Sequence, residues 1–149
     1  MKIAIGADHA GFAAKEEIKT VIKALGHAVL DQGTTGEASV DYPDFAEKVA
    51  RAVASGEADK GVLICGTGIG MSIAANKVEG IRAAVIGDEK IVVLSRQHND
   101  ANIFCAGSRI TPLVKIAESL KVWLQTPFEG GRHQNRVAKI TAIEKNGGR

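Results

Sequence analysis

Residues 61–72 read GVLICGTGIGMS, and this stretch decides the fold. Its first part, residues 61–65, carries no charged side chain, which is typical of a strand buried on both faces of a sheet. Glycines at positions 66, 68 and 70 then favour a tight turn, and the apolar residues that follow predict a short helix. A buried strand that leads through a turn into a helix is the repeating unit of α/β proteins.

The same unit recurs on both sides of this stretch, because short β-branched runs alternate with segments whose apolar residues recur at helical spacing. The alternation predicts an α/β protein with a three-layer, Rossmann-like fold, in which a five-stranded parallel sheet has helices on both faces. The predicted strands are residues 2–7, 28–31, 61–65, 81–86 and 101–106. The predicted helices are residues 11–25, 43–56, 71–77, 88–98, 111–125 and about 131–145.

Length and composition predict a single domain over residues 1–149 and exclude several classes of protein. A chain of 149 residues can bury roughly 70% of its unfolded surface in one core. Its two cysteines cannot build a disulfide framework, and no cysteine or histidine spacing is typical of zinc, so we expect no metal. No apolar run is long enough to predict a membrane span, and the expected location is the cytoplasm. A net charge of +2 is too small to indicate a nucleic-acid partner.

The net charge conceals an asymmetry along the chain. Residues 109–149 hold eight Lys or Arg and only three Asp or Glu. The first 108 residues hold 11 Lys or Arg and 14 Asp or Glu. Arg132 and Arg136 lie one helical turn apart in the basic segment, so together with Arg109 they could hold a phosphate by paired hydrogen bonds. The alternative is a solvent-exposed helix face that binds nothing.

Polar residues follow several predicted strands at the edge where parallel α/β sheets bind their ligands. Asp8 and His9 follow the first strand, Cys65 ends the third, and Arg109 follows the fifth. His98 differs, because it precedes the fifth strand at the end of a helix.

The glycine-rich turn suits a negatively charged ligand, because backbone N–H groups at the start of a helix attract anions. The turn does not match the P-loop motif. The dinucleotide fingerprint would need a glycine where Met71 stands, and a phosphatase loop counted from Cys65 would need an arginine there. A thiolate at Cys65 would be stabilised by the same dipoles and could act as a base or a nucleophile. The alternatives are a plain tight turn and a small buried thiol, and a structural role is favoured for Cys105.

Six segments in order resemble one family, ribose-5-phosphate isomerase type B, with its relatives the allose-6-phosphate and galactose-6-phosphate isomerases. The resemblance extends over nearly the whole chain and is far more specific than a single glycine-rich loop. The segments are residues 6–11, 40–44, 64–77, 95–102, 107–109 and 130–133, which read GADHAG, VDYPD, ICGTGIGMSIAANK, SRQHNDAN, GSR and GGRH.

The resemblance implies an enzyme, an aldose–ketose isomerase that interconverts ribose 5-phosphate and ribulose 5-phosphate through an enediolate without metal or organic cofactor. Cys65 matches the base that moves the proton, and His98 matches the residue that aids opening of the sugar ring. Thr67 and the backbone of loop 66–70 would hold the negative charge of the enediolate oxygen. Some relatives place a glutamate as base directly after the last loop glycine, where this chain has Met71, and this favours Cys65.

The resemblance also implies a homodimer or a dimer of dimers, with the active site at the subunit interface. The helix at about 131–145 would pack on the partner, and His9 and the C-terminal arginines would come from the partner of the chain that supplies Cys65. The implied phosphate-binding residues are His9, Arg109, Arg132 and Arg136. The residues implied to contact the substrate are Asp8, His9, Tyr42, Gly66, Thr67, Gly68, Ile69, Gly70 and Asn99.

Two other functions remain open at the level of the sequence. In one, the substrate is a six-carbon sugar phosphate, allose or galactose 6-phosphate. In the other, the chain is a non-catalytic sugar-phosphate sensor, which keeps the arginines but does not need Cys65. The expected partners are a phosphorylated sugar and a second copy of the chain, and neither nucleic acid nor a membrane is expected.

Overall fold

The five predicted strands form one parallel sheet in the computed structural model, which describes residues 1–147. Across the sheet the strands run in the order β2-β1-β3-β5-β4, so the predicted α/β fold is confirmed. The strands are β1 (Lys2–Ala7), β2 (Ala28–Asp31), β3 (Lys60–Cys65), β4 (Ala83–Val85) and β5 (Ile103–Gly107). The helices are α1 (Phe12–Ala24), α2 (Tyr42–Ala54), α3 (Ile69–Ala75), α4 (Glu89–Gln97), α5 (Leu113–Gln125) and α6 (Arg132–Asn146).

Helices cover both faces of the sheet, and each face has its own apolar core. Helices α1, α4 and α5 bury Ile18, Val92 and Trp123 against one face, whereas α2 and α3 bury Val49 and Met71 against the other. Because β1, β3 and β5 are covered on both sides, their sequences lack polar alternation. Within residues 1–147, the helices fall short of the length and apolar character that crossing a membrane requires.

Helix α3 begins two residues earlier than the sequence predicted, at Ile69 rather than at Met71. Gly68 adopts a left-handed conformation with a φ of 80° immediately before the first helical residue. The Ile69 N–H donates to Thr67 Oγ1 at 3.2 Å, so a side chain of the turn satisfies one of the first helical donors. The helix can therefore start inside the glycine-rich turn.

Strand β4, at the edge of the sheet, spans only three residues, whereas residues 81–86 were predicted. The backbone N–H of Arg82 donates to the side-chain oxygen of Asn102 at 2.8 Å rather than to a neighbouring strand. A side chain thus takes the place of the first ladder hydrogen bond, and the strand starts after it.

Helix α6 buries only two of its residues, His133 and Val137. Ile140 and Ile143 on the same helix are 41% and 70% exposed. Apolar side chains of this kind are available to a partner, so the packing of this helix on a second subunit stays a prediction. Fraying was expected over residues 146–149, of which 148 and 149 lie outside the described residues.

The turn at residues 66–68 lies directly on the end of β5. A Cβ atom on Gly107 would lie 2.5 Å from the carbonyl carbon of Thr67, and one on Gly68 would lie 2.9 Å from the carbonyl carbon of Ala106. Neither distance leaves room for a side chain. The two glycines are therefore required where backbone packs on backbone, and this contact fixes the turn relative to Cys65.

A partly buried ion pair at the end of β2 supports the neighbouring end of β1. The ammonium group of Lys15 is fully buried and lies 2.8 Å from each carboxylate oxygen of Asp31. Lys19 donates to the same carboxylate at 2.7 Å, and the Gly33 N–H donates to it at 2.9 Å. Burial opposes the charge, but the two lysines hold the pKa of Asp31 below its ordinary value. The Gly33 carbonyl in turn accepts the Ala7 N–H at 2.8 Å.

We predict that Gly107→Ala lowers the free energy of unfolding by about 1–3 kcal/mol, because the added methyl group meets backbone atoms that cannot move aside. Gly36→Ala is the matched control, since a Cβ atom there meets nothing within 4 Å. Its expected effect is less than about 1 kcal/mol. Urea denaturation of both variants measures the difference, and equal stability would contradict the proposed backbone contact.

Candidate active site

Strands β1 and β3 are neighbours at the point where the order of the strands reverses, and α/β sheets bind ligands beyond the carboxyl ends of strands at such a point. Asp8 follows β1, and Cys65 ends β3. The Asp8 N–H donates to the Ile64 carbonyl at 3.3 Å, and the buried Asp8 carboxylate accepts the Gly11 N–H at 3.1 Å. A carboxylate and a thiol therefore occupy adjacent strand ends at the ligand-binding edge.

The Cys65 side chain is held in place by the surrounding backbone and is 5% exposed. Its Sγ accepts the Gly68 N–H at 3.1 Å. Its carbonyl accepts the N–H of Ser108 at 2.8 Å and the hydroxyl of the same residue at 3.2 Å. The Gly68 donor points at the atom that carries negative charge when the thiol gives up its proton. This geometry suits a thiolate that acts as a base or a nucleophile.

Loop 66–70 places polar and aromatic groups beside the thiol. Thr67 is exposed, and because its Oγ1 accepts a backbone N–H from Ile69, its hydroxyl proton can point toward a ligand. The ring of Tyr42 lies against Gly70, where a Cβ atom would be 2.6 Å from a ring carbon. The glycine leaves room for this ring, which forms a wall of the candidate site.

His9 and Arg109 lie on the same edge and in the same chain as Cys65. The Nδ1 atom of His9 accepts the Val40 N–H at 3.2 Å, so Nε2 carries the proton of the neutral ring. The guanidinium group of Arg109 lies over Gly66, where a Cβ atom would be 3.5 Å from one of its terminal nitrogens. His9 was expected to come from the partner, but His9 of this chain itself follows β1, which pairs with β3, and so lies at the edge that holds Cys65.

His98 and Asn99 lie at the opposite edge of the sheet. His98 follows the last residue of α4, and the chain then enters β5 at its amino end. Cys65 pairs with Gly107 at the carboxyl end of that strand. The residues of β5 separate the two ends by about 13 Å, at roughly 3.3 Å per residue. Within a single chain, His98 and Cys65 therefore cannot act together on one small sugar.

The His98 ring stacks on the ring of His133, with centroids 4.1 Å apart and planes inclined by 13°. His133 is buried, and its Nε2 lies 3.9 Å from a carboxylate oxygen of Glu129. Desolvation first, and then the nearby His98 and Arg132, lowers the pKa of His133 below its ordinary value. His133 was not among the site residues predicted from the sequence. It lies beside Arg132 in residues 130–133, one of the six segments that resemble the family, and this position could have indicated it.

Arg132 and Arg136 are exposed on α6, one helical turn apart. Since they flank His133, they belong to the amino edge of the sheet rather than to the edge that holds Arg109. The predicted phosphate-binding residues are therefore divided, with His9 and Arg109 at one edge and two arginines at the other.

An open groove lies at the amino edge, between the end of α2, residues 76–84 and α6. Asn99 and Arg82 are among the residues that line it. Over residues 1–147, no three His, Cys, Asp or Glu side chains converge in the way that a bound metal ion requires.

A family model described as Ribose/Galactose Isomerase matches residues 3–140. The chain belongs to this family. It is 51% identical over 144 residues to the ribose-5-phosphate isomerase B of Escherichia coli (strain K12), with 97% of each chain covered. The predicted resemblance is confirmed, and so is the prediction of an enzyme, an isomerase, rather than a non-catalytic sensor.

Solved structures of the family have the same fold. A ribose-5-phosphate isomerase B from Clostridium thermocellum matches with a TM-score of 0.96 and 54% identity, over 98% of this chain and 99% of that one. The structure of ribose-5-phosphate isomerase B from Mycoplasma genitalium with bound ribulose-5-phosphate matches with a TM-score of 0.92 and 42% identity. The match covers 97% of this chain and 96% of that one. The roles of individual residues in the present chain stay predictions.

We predict that His133 makes the folded protein less stable in mild acid. Because its pKa is lower in the folded than in the unfolded chain, the unfolded chain binds the proton more readily. The contribution of His133 to the free energy of unfolding is therefore fully present above pH 6.5, the ordinary pKa of histidine, and falls as the pH drops below that value. Besides burial, four neighbouring groups act on the ring, namely His98, Arg132, Glu129 and Arg136.

His133→Gln should flatten the slope of unfolding free energy against pH between about pH 7 and pH 5 relative to the wild type. Urea denaturation at several pH values measures this slope. A slope that is the same in the wild type and in His133→Gln would contradict the prediction.

Proposed function

We propose that this isomerase interconverts ribose 5-phosphate and ribulose 5-phosphate, with Cys65 as the base and His98 as the group that opens the sugar ring. The observation that carries the proposal is the buried thiol at the end of β3, whose Sγ accepts the Gly68 N–H at 3.1 Å at the ligand-binding edge. A phosphorylated sugar is the substrate class that the family supports, since a relative of the same fold binds ribulose-5-phosphate.

The proposed reaction needs one base and a set of donors for a developing oxyanion. The Cys65 thiolate removes the proton from C2 of the open-chain aldose, a double bond forms between C1 and C2, and O1 takes the negative charge. The thiol then returns the proton to C1, while the proton of O2 moves to O1 and C2 becomes the carbonyl. Thr67 and the backbone N–H groups of loop 66–70 stabilise the oxyanion, so the step requires neither a metal nor an organic cofactor.

Residues around the thiol are proposed to bind the sugar. The buried Asp8 carboxylate can accept hydrogen bonds from sugar hydroxyls, and Tyr42 closes the site on the side of Gly70. Gly66, Gly68 and Ile69 complete the contact surface of the loop.

A second copy of the chain supplies the remaining groups. The residues of β5 place about 13 Å between its amino end, which follows His98 and Asn99, and its carboxyl end next to Cys65. Ring opening and proton transfer can therefore meet on one sugar only across an interface. Two copies related by a two-fold axis would form two equivalent sites, each with a carboxyl edge from one chain and an amino edge from the other.

The phosphate group is proposed to bind between the two edges. His9 and Arg109 would approach it from the chain that supplies Cys65, and Arg132 and Arg136 from the partner. Arginines are suited to this role because their planar donors match phosphate oxygens in pairs. Binding energy from the phosphate would position the reacting carbons.

Exposed apolar side chains support such an assembly. Ile69 and Ile73 next to the thiol loop are 55% and 57% exposed, and Ile143 on α6 is 70% exposed. We propose that residues 1–149 form a single sugar-phosphate isomerase domain and that α6, predicted at about 131–145, packs on the partner in a homodimer or a dimer of dimers.

A six-carbon sugar phosphate is the second candidate substrate, because the family model is described as covering both ribose and galactose isomerases. Ribose 5-phosphate is preferred because the Escherichia coli relative at 51% identity carries that name. Comparison of kcat/KM for ribose, allose and galactose phosphates separates the two.

We predict that Cys65→Ala lowers kcat for ribose 5-phosphate by about 10²–10⁴-fold, the usual contribution of a general base. Cys105→Ala is the matched control, because burial first and the neighbouring Cys65 second raise the pKa of that thiol, which is fully buried. The control should retain most of the activity of the folded enzyme. Near-wild-type turnover by Cys65→Ala would contradict the assignment of the base.

We predict that His98→Asn affects cyclic and open-chain substrates differently. Ribose 5-phosphate must open its furanose ring before C2 can lose a proton, whereas ribulose 5-phosphate is already open. The variant should therefore lose isomerisation of ribose 5-phosphate by at least about 10-fold more than it loses solvent deuterium exchange into ribulose 5-phosphate. Equal losses in the two assays would contradict a role in ring opening.

A further inference from the structure

Asp100 directly follows His98 and Asn99 and has a φ of 46°. Among residues 1–147 it is the only residue other than glycine with a positive φ, a conformation that side chains rarely adopt. Backbone of this kind persists only where the surrounding contacts hold it, and it is concentrated at functional sites. The contacts of Asp100 therefore bear on how His98 and Asn99 are presented.

Arg82 holds the backbone of this turn with its planar guanidinium group. Its Nε donates to the Asn99 carbonyl at 3.0 Å and to the Asp100 carbonyl at 3.1 Å, and a terminal nitrogen donates to the Asp100 carbonyl at 3.0 Å. The same terminal nitrogen lies 3.4 Å from the Asp100 carboxylate. A rigid fork of donors can hold two carbonyls in one orientation, which the single ammonium group of lysine does not do.

Arg96 holds the same turn from the inside of the fold. This residue is 5% exposed, and one terminal nitrogen donates to the Asp100 carboxylate at 2.8 Å and to the Ala101 carbonyl at 2.7 Å. Its Nε donates to the Thr126 carbonyl at 3.0 Å. The Asp100 carboxylate thus links the partly buried Arg82 to the buried Arg96, and the turn is tied both to the residue before β4 and to the helices behind it.

We propose that Arg82 and Asp100 are positioning residues, which hold the His98–Asn99 segment in the single orientation that ring opening requires. This inference rests on the proposed function, in which His98 acts on the sugar bound at a partner's thiol. Neither residue touches the reacting atoms, because both act through the backbone of the turn.

The turn controls a degree of freedom that ring stacking leaves open. The contact with His133 sets the plane of the His98 ring, but a ring can slide within a stacked pair at little cost. Arg82 and Asp100 fix the backbone that carries the ring, and they aim the Asn99 side chain at the same time. A displacement of about 1 Å at a catalytic group can cost up to about 100-fold in rate.

Two assays on the full-length enzyme test the proposal. The first measures kcat/KM for isomerisation of ribose 5-phosphate, and the second measures solvent deuterium exchange into ribulose 5-phosphate, which needs no ring opening. Arg82→Lys should lower isomerisation by about 10-fold and exchange by less than about 2-fold, because it keeps the charge but loses the fork. The side chain of Arg82 is 20% exposed, which favours folding of the variant.

Two variants at position 100 separate an effect on the conformation of the turn from a general loss of stability. Asp100→Asn tolerates the left-handed backbone and keeps an acceptor for Arg96, so its isomerisation should stay within about 3-fold of the wild type. Asp100→Ala loses both the tolerance of the left-handed backbone and the acceptor for Arg96. Its losses of isomerisation and exchange should therefore match those of Arg82→Lys. Arg51→Gln is the control for removal of a surface arginine, because Arg51 pairs only with Glu47 on its own helix among the described ion pairs.

The outcomes distinguish failure of this inference from failure of the proposed function. If His98→Asn lowers isomerisation more than exchange but Arg82→Lys and Asp100→Ala lower both equally or neither, the positioning role is overturned while ring opening by His98 stands. If His98→Asn itself shows no difference between the assays, the ring-opening role fails and the positioning role fails with it. If Arg82→Lys does not fold, judged by its melting temperature, Asp100→Asn against Asp100→Ala provides the same comparison.

Discussion

A parallel sheet has two chemically different edges, because all of its strands begin at one edge and end at the other. In this protein β1, β3 and β5 end beside Asp8, Cys65 and Arg109, and β5 begins just after His98 and Asn99. The length of β5 separates the two groups, and no change of side-chain rotamer can bring them together. Because the proposed function has Cys65 and His98 act on the same sugar, this constraint leads to the proposal of a shared active site.

The carboxyl edge depends on contacts between backbone segments. Gly107 and Gly68 let loop 66–68 rest on the end of β5, and that position directs the Gly68 N–H at the sulfur of Cys65. The ion pair between Lys15 and Asp31 secures the neighbouring turn. The amino edge depends instead on side chains, because a stacked histidine and two arginines hold the turn that carries His98.

Much of the fold could be predicted because its signals are local. The apolar run of residues 61–65 and the glycines that follow it indicate a strand, a turn and a helix without reference to the rest of the chain. The start of α3 was missed because it depends on one hydrogen bond to Thr67 and on the left-handed Gly68.

The candidate site was predicted less completely, because several of its features arise only when distant segments meet. Cys65 and Asp8 were found from their place at strand ends. The stacking of His98 on His133 joins two helices, and the clamp on Asp100 needs Arg82, which lies just before β4. Nothing in the local sequence pattern encodes these contacts. The pairing of β1 with β3, which brings this chain's own His9 to the edge that holds Cys65, is a long-range contact of the same kind.

The central claim is that each active site takes its thiol from one chain and its His98 from another. The most direct test is to produce Cys65→Ala and His98→Asn chains together, each with a different affinity tag, and to isolate the mixed assembly that carries both tags. A shared site predicts one intact site in every mixed pair, and therefore about half of the wild-type activity on ribose 5-phosphate. If the mixed assembly is no more active than the two variants prepared alone, each site lies within a single chain and the account is contradicted.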